Sequence, residues 1–329
     1  MADGWFLCYL VVMTETEKYV MATVCYYDVL DFPLKEEEIF DFLIIGDGSP
    51  ISKVFEPNRD DVLKTAKKLF EDKKLGFLDG YYFLPEREYL APLREKKSAI
   101  KKIKMRKARY AVWWLNFTPF LKAIFASGSL GLGNTDEVSD LDILTIAKSG
   151  RIWTSRFCIT VLLYLIGMKR RPKDIMSPDK ICPNHYITDK SLFINLKSIY
   201  NAQTYINLKP LIINDESLAT RFKDENSWVN TYVNKWPAGN HSYILNRNLG
   251  QKLISRMLEF ILGGRFGDFI EKKLGGYQVS IILKNPLTYI KGSKVAYSND
   301  HLEFHPDSPE KQILSRYSNR LKAMGVAMF

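Results

Sequence analysis

The stretch over residues 121–146 constrains the fold most strongly, because two apolar runs bracket a glycine-rich turn and an acidic pair. The run 121–126 predicts a short buried strand, and the run 140–146 predicts a second one. Side chains alternate between the two faces of a strand, so Asp140 and Asp142 are expected to project on the same side. The sequence therefore predicts two strands that hold a carboxylate pair beside a Ser-Gly-Ser turn at 127–129.

This acidic pair and the glycines beside it predict a metal and phosphate site. Two neighbouring carboxylates repel each other unless a cation lies between them, and oxygen-only ligands suit Mg²⁺ or Mn²⁺. Gly128, with Gly131 and Gly133, permits backbone conformations that place amide N–H groups and the Ser129 hydroxyl against a phosphate. A phosphate cradle beside a metal-holding pair is typical of phosphoryl or nucleotidyl transfer.

These residues resemble the signature of the polymerase-beta-type nucleotidyltransferase superfamily. In that signature a hydrophobic strand precedes Gly and Gly/Ser, and after a spacer of about ten residues Asp-hydrophobic-Asp/Glu-hydrophobic follows. Gly128-Ser129 and the run 140–143 match it at that spacing, and the resemblance covers roughly residues 105–210. It implies an enzyme that moves a nucleoside monophosphate from a nucleoside triphosphate to an acceptor and releases pyrophosphate.

The resemblance also implies roles for individual residues. Asp140 and Asp142 are the expected catalytic residues and metal ligands, with Mg²⁺ or Mn²⁺ as the cofactor. The expected nucleotide-binding residues are Gly128, Ser129, Ser139, Lys148 and Arg151. Among these, Gly128 and Ser129 are expected to grip the β- and γ-phosphates. Lys148, Arg151 or a basic helix preceding them is expected to neutralise the leaving pyrophosphate.

The chain departs from the superfamily pattern on the next predicted strand, residues 180–188. The superfamily usually places a third carboxylate there, but Asn184 and His185 fill the centre, and the nearest acids, Asp179 and Asp189, stand at the ends. Two interpretations remain open. Either a second metal is held more weakly, by Asp142 with His185, Asp189 or a substrate phosphate, or the site binds a nucleotide without turning it over.

Residues 300–307 contain a second group of potential metal ligands. Alternation along a strand would put His301, Glu303 and His305 on one face. The sequence offers no further ligand cluster to complete such a site. An exposed strand edge before a helix is therefore the favoured interpretation.

Residues 13–88 predict three helices followed by a tight hairpin at 75–84, an arrangement similar to a winged helix. The predicted third helix, 60–74, lacks an obvious set of base-reading side chains. A structural or partner-docking role is therefore favoured over sequence-specific DNA binding. Residues 1–12 are expected to be an extension with little order, since the apolar run within them is too short to span a bilayer and lacks the features of a signal peptide.

Residues 89–117 predict one long helix crowded with positive charge. Between residues 94 and 109 only Glu95 opposes the following basic residues: Arg94, Lys96, Lys97, Lys101, Lys102, Lys104, Arg106, Lys107 and Arg109. One interpretation is a track for RNA, DNA or a nucleoside triphosphate. The other is a solvated face of a linker helix, with these residues on its buried side: Leu93, Ile100, Ile103, Tyr110 and Trp114.

The predicted fold class is α+β. The expected divisions are an extension (1–12), a winged-helix-like domain (13–88), a basic linker helix (89–117), a nucleotidyltransferase α/β sheet core (118–210) and a mainly helical domain (211–329). Within the core, Trp153, Phe157, Val161 and Leu165 are expected to be buried on a helix over 152–166. A further helix is expected over 189–209, and irregular or short β structure over 275–306.

Composition sets the remaining expectations. The 329 residues carry a net charge of +10, which favours a polyanionic partner. The four cysteines show no paired spacing, so a reducing cytoplasm is expected, without a membrane partner. The acceptor remains open between nucleic acid, protein and small molecule. The alternative function is a winged-helix nucleic-acid-binding regulator, or an antitoxin with a protein partner, whose transferase domain is catalytically degenerate.

Overall fold

The computed structural model describes residues 13–49, 55–171, 176–237, 241–290, 293–306 and 308–326, so the extension expected over 1–12 lies outside it. The described residues form a mixed α+β architecture with a three-stranded sheet and a six-stranded sheet. The predicted α+β class is confirmed at this level.

The N-terminal elements begin with helix α1, Glu15–Val29. Thr14 caps this helix, since its hydroxyl accepts from the Glu17 amide at 3.2 Å while Glu17 accepts from the Thr14 amide at 2.9 Å. The elements that follow are β1 Leu34–Lys35, α2 Glu36–Asp41, α3 Arg59–Glu71, β2 Gly76–Leu78 and β3 Tyr81–Phe83. The three strands form an antiparallel sheet in the order β1-β3-β2. The predicted hairpin turns at Asp79 and Gly80, both with positive φ, as an Asp-Gly turn requires.

Helix α4, Leu90–Leu115, is the predicted basic helix, but its buried side is not the apolar one expected. Ile103 and Tyr110 are exposed, whereas Arg94, Lys97 and Lys104 are buried. These cations have polar or acidic partners inside the protein. The spacing of the apolar residues along the helix therefore predicted the wrong buried face.

The buried cations of α4 each have partners outside the helix. Arg94 pairs with Glu38 at 2.7 Å, and Lys97 donates to the Asn134 side chain at 2.8 Å. Lys104 donates to the Ser139 carbonyl at 2.6 Å and pairs with Asp179 at 3.1 Å. Lys104 therefore braces the segment that leads into the acidic pair.

The central sheet is built from strands β4 Leu121–Ala126, β5 Leu141–Ala147, β6 Ile181–Thr188, β7 Lys209–Ile213, β8 Lys294–Tyr297 and β9 His301–His305. Their order is β7-β4-β5-β6-β9-β8. The β4–β5 pair is antiparallel and the β5–β6 pair is parallel, with a helix in the crossover. The three strands predicted from residues 118–188 are thus neighbours in the sheet.

Helices cover the sheet and connect its strands. They are α5 Gly128–Leu132, α6 Ile152–Leu165, α7 Ile199–Ile206, α8 Ser217–Glu225, α9 Leu249–Ile261, α10 Gly264–Lys284 and α11 Glu310–Ala323. The buried face expected for α6 was wrong apart from Trp153, since Phe157, Val161 and Leu165 are exposed.

Two predictions about the C-terminal half were also wrong. The helix expected over 189–209 is confined to α7, and strand β7 begins where that helix was expected to end. The region expected to be irregular from residue 275 onwards begins instead with the second half of α10. The boundary expected at residue 210 crosses the central sheet, because β7, β8 and β9 all belong to it.

The two ends of the described chain pack together. Helices α1 and α11 are in contact, and Asp28 on α1 pairs with Arg320 on α11 at 3.0 Å and with Arg87 at 3.4 Å. The side chain of Asp28 is 1% exposed, so these cations compensate a carboxylate that is almost out of water. Among the described helices, none has the length and apolarity to cross a bilayer.

Candidate functional site

The predicted acidic pair lies in the wall of a cavity of about 400 Å³ on one side of the central sheet. Asp140 stands immediately before β5 and Asp142 is its second residue. Gly128 and Ser129, from the turn after β4, line the same cavity. Four of the sequence-predicted site residues are therefore brought together around one space.

The turn at Gly128 is fitted closely to Asp142. Gly128 has a φ of +54°, a conformation that L side chains rarely adopt. A Cβ atom at this position would lie 2.8 Å from the Asp142 Oδ2 atom. The Ser127 amide also donates to the Asp142 carbonyl at 3.0 Å. Only glycine fits this position without moving the carboxylate.

The Asp142 carboxylate lies in an environment that disfavours its charge. Burial, followed by the negative field of Asp140, raises its pKa from the ordinary 3.8 to about 7. The Asn184 amide opposes these effects by donating to Asp142 Oδ1 at 2.7 Å. Burial and the same two acids raise the pKa of the neighbouring Cys182 thiol to about 12, so this thiol is protonated at neutral pH.

Asp140 is paired differently, since the Arg170 guanidinium donates to its Oδ2 atom. An oxygen of each acid and the Cys182 sulfur lie within 4.8 Å of one another. The two carboxylates fit a hard divalent cation, because a cation would offset the desolvation that raises the pKa of Asp142. The protonated thiol is a poor ligand for such an ion.

Three residues of the expected nucleotide-binding set lie outside the cavity lining. The Ser139 hydroxyl accepts from the Asp136 amide at 3.0 Å. Lys148 follows the far end of β5 and lies over the Phe120 ring, and Arg151 pairs with Asp268 at 2.6 Å. Since β5 separates Lys148 and Arg151 from the acids by its whole length, their expected contact with the same phosphates was wrong.

The cations that line the cavity are instead Arg170 and Lys294. Arg170 belongs to the run of basic residues that follows α6. Lys294 begins β8 and pairs with Glu310 of α11. No local pattern distinguishes these two residues, because their positions depend on the pairing of distant strands.

A second, smaller pocket of about 210 Å³ adjoins the first. Both are lined by Gly128, Ser129, Tyr200 and Thr204. The second pocket lies between α1, α7 and α11, and its lining includes aromatic and aliphatic side chains, among them Tyr26, Tyr27, Leu132 and Ile313. The Gly128 turn thus separates a polar cavity from a more apolar one.

The residues expected to replace the third carboxylate lie in two places. Asn184 contacts Asp142, as described above, and His185 is the next residue on β6. Asp189 lies beyond the opposite end of β6, where it accepts from the Ser149 amide at 2.8 Å and its own amide donates to Ala147. Asp189 is therefore too far along the sheet to share an ion with Asp142.

Strand β9 is not the exposed strand edge expected for His301, Glu303 and His305. It lies between β6 and β8 in the central sheet, with His185 paired to Glu303 and Ile187 paired to His301. Glu303 is buried and lines the large cavity together with His185 and His305. A further ligand for this group, His185, was missed because it comes from another strand.

Comparison of the chain with protein-family models, with curated proteins and with solved structures found no match.

Proposed function

We propose that the chain is a metal-dependent nucleotidyltransferase that moves a nucleoside monophosphate from a nucleoside triphosphate to an acceptor hydroxyl and releases pyrophosphate. The observation that carries the proposal is the Gly128–Asp142 contact. A glycine turn is fitted against one carboxylate of an acidic pair, and both line one cavity. This places groups suited to phosphate and groups suited to a divalent cation side by side.

Each lining residue has a role in this proposal. Asp140 and Asp142 would hold Mg²⁺ or Mn²⁺, and the bound ion would polarise the phosphate and stabilise charge on the leaving group. Gly128 and Ser129 face the phosphates. Arg170 replaces Lys148 and Arg151 as the cation expected to stabilise negative charge on the pyrophosphate, since it already lies against Asp140.

The adjoining pocket supports a nucleotide as the ligand. A nucleotide has a charged end and a largely flat, apolar end. The polar cavity offers Arg170 and Lys294, while the neighbouring pocket offers Tyr26 and Tyr27. Because the two spaces meet at Gly128 and Ser129, a triphosphate in the first would lead its base towards the second.

The N-terminal elements support a winged-helix assignment. Their order along the chain is α1, β1, α2, α3, β2 and β3, with an antiparallel three-stranded sheet. The exposed cations of α4 are Lys96, Lys102, Arg106 and Lys107. Because Lys96 pairs with Glu137 and Lys107 with Asp179, Lys102 and Arg106 are the exposed cations of this helix without an acidic partner among the described residues, and they are available to a nucleic-acid acceptor. An RNA end, a protein hydroxyl and a small molecule are the acceptor classes to be compared by experiment.

The test is incubation of the full chain with each labelled nucleoside triphosphate, Mg²⁺ or Mn²⁺, and total RNA and protein extracts. We expect label on one acceptor class and release of pyrophosphate. Asp142→Asn and Asp140→Asn should each reduce turnover by at least about a thousand-fold, because the cation contributes several kcal/mol to the transition state.

Asp189→Asn is the matched control, since it makes the same change beyond the other end of the sheet. It should keep turnover near the wild-type value. Full activity of both Asp140→Asn and Asp142→Asn would refute the proposal.

A second candidate is a nucleotide-binding regulator without turnover. The specific observation in its favour is that Arg170 already pairs with Asp140 and that Asn184, not an acid, faces Asp142. In this case the nucleotide binds equally well with EDTA and with Mg²⁺, and no acceptor releases pyrophosphate. Nucleotide binding that requires Mg²⁺ would exclude this candidate.

A further inference from the structure

Three of the chain's four histidines lie on the neighbouring strands β6 and β9. We propose that two of them, His185 and His301, bind a transition-metal ion of the Zn²⁺ type together with Glu303. This site is separate from the Asp140–Asp142 pair, and it does not depend on the proposed transferase activity.

The backbone register brings the three ligands together. His185 is directly opposite Glu303, and Ile187 is opposite His301, so all three side chains project from one face of the sheet. One ring nitrogen of each histidine and one carboxylate oxygen lie within 4.8 Å of one another. The two rings are nearly parallel, with centroids 5.1 Å apart. A small inward movement of the side chains would place all three around one ion.

Two of the proposed ligand atoms lack hydrogen-bond partners in the part of the chain that the structure describes. The Nε2 atoms of His185 and His301 are both buried, and neither has a hydrogen-bond partner among the described residues. His301 Nε2 lies 3.6 Å from Glu303 Oε2, which is too long for a hydrogen bond. A buried polar atom without a partner costs about 1–3 kcal/mol. A metal ion would satisfy both nitrogens and the carboxylate at once.

The ligand types distinguish this cluster from the acidic pair. Imidazole nitrogens with one carboxylate suit Zn²⁺ and related ions, whereas two carboxylates suit Mg²⁺. Three protein ligands leave one position for water or another ligand in a tetrahedral site. Because His185 and Glu303 also line the large cavity, that position would be reached from the same space as Asp142.

The test is titration of the full chain, freed of metal by a chelator, with Zn²⁺ in competition with a chromophoric chelator. Co²⁺ in place of Zn²⁺ should give the visible absorption of a tetrahedral ion. We expect one ion per chain. His185→Gln and His301→Gln should each weaken Zn²⁺ binding by at least about a hundred-fold, and Glu303→Gln by about tenfold.

His305→Gln and Asp142→Asn are the controls, and both should keep the Zn²⁺ affinity within about threefold. His305 is a histidine of the same strand that lies near Asn184 instead, at 3.5 Å. If His185→Gln fails to fold, as circular dichroism would reveal, the more exposed His301→Gln still decides the question. The proposal is overturned if the wild-type chain binds no Zn²⁺. It is equally overturned if His305→Gln or Asp142→Asn loses as much affinity as His301→Gln.

Discussion

The acidic pair and the histidine cluster face the same cavity but are assembled in opposite ways. Asp140, Asp142, Gly128 and Ser129 come from one stretch of chain, which comprises the connection between β4 and β5 and the start of β5. His185 and His301 come from strands that are separated along the chain by four α-helices and by the strands β7 and β8. The first group can be predicted from a local pattern, whereas the second exists only once β9 pairs with β6.

The two groups also differ in how they tolerate the absence of a cation. Arg170 and Asn184 already compensate the acids. The Nε2 atoms of His185 and His301 have no hydrogen-bond partners among the described residues. A cation at the acidic pair would therefore compete with existing contacts. A metal ion at the histidines would instead bind nitrogen atoms that lack hydrogen-bond partners.

A large effect on activity is expected from Gly128→Ala. The added Cβ would lie 2.8 Å from Asp142 Oδ2 and would force the acid or the turn to move. A displacement on this scale should lower kcat/KM for the labelled nucleotide by about a hundred-fold. Gly150→Ala is the matched control, because Gly150 also has a positive φ, +75°, but no atom within 4 Å of the added Cβ. It should lose about 1 kcal/mol of stability and keep its activity.

The next effect concerns the stability of the metal-free protein and its dependence on pH. Because folding raises the pKa of Asp142 from 3.8 to about 7, its contribution to stability is fully present below pH 3.8 and is lost as the pH rises through 7. The Asp142→Asn substitution removes this loss of stability. In EDTA, we expect the variant to gain about 4 kcal/mol over wild type between pH 4 and pH 8. Denaturant unfolding at several pH values measures the difference, and parallel curves for the two proteins would contradict it.

A smaller effect is expected from Asn184→Asp, which supplies the carboxylate that the sequence lacks. A carboxylate oxygen of the new side chain would replace the Asn184 amide nitrogen that now donates to Asp142. Mg²⁺ affinity should rise about tenfold, because a third hard oxygen ligand joins the pair. Asn201→Asp adds the same charge elsewhere on the cavity wall and should change Mg²⁺ affinity less. Equal gains from both substitutions would mean that only the total charge of the cavity matters.

The smallest effect is expected for a change in the histidine cluster on Mg²⁺ binding at the acidic pair. His301 is opposite Ile187, further along the sheet from Asp142 than His185 is. His301→Gln should therefore leave Mg²⁺ affinity within about twofold of wild type, as for independent sites. Isothermal titration of Mg²⁺ into the variant measures this. A larger change would show that the two groups act as one site.

Much of the fold near the acids could be predicted from the sequence, because the signals there are local. The bounds of β4 follow from one apolar run, and the cap of α1 follows from Thr14 and Glu17. Strand β7 was not predicted, because a proline at position 210 is typical of the end of a helix. Since β7 is an edge strand of the sheet, a proline is tolerated there.

The remaining errors have a common physical cause. The buried cations of α4 depend on Glu38, Asn134 and Asp179, none of which lies on that helix. The cavity cation Arg170 and the histidine cluster likewise depend on tertiary pairing. Periodicity identifies which residues share a face of an element, but it does not identify what that face contacts.

The contact between α1 and α11 has a consequence for biosynthesis. Asp28 is synthesised before the whole central sheet, and Arg320, one of the two cations paired with it, is synthesised after that sheet. Until α11 has left the ribosome, α1 lacks the Tyr317 ring against which Tyr26 packs. Helix α1 therefore reaches its final packing only after the strands of the central sheet have been synthesised, and until then the nascent chain depends on protection from aggregation.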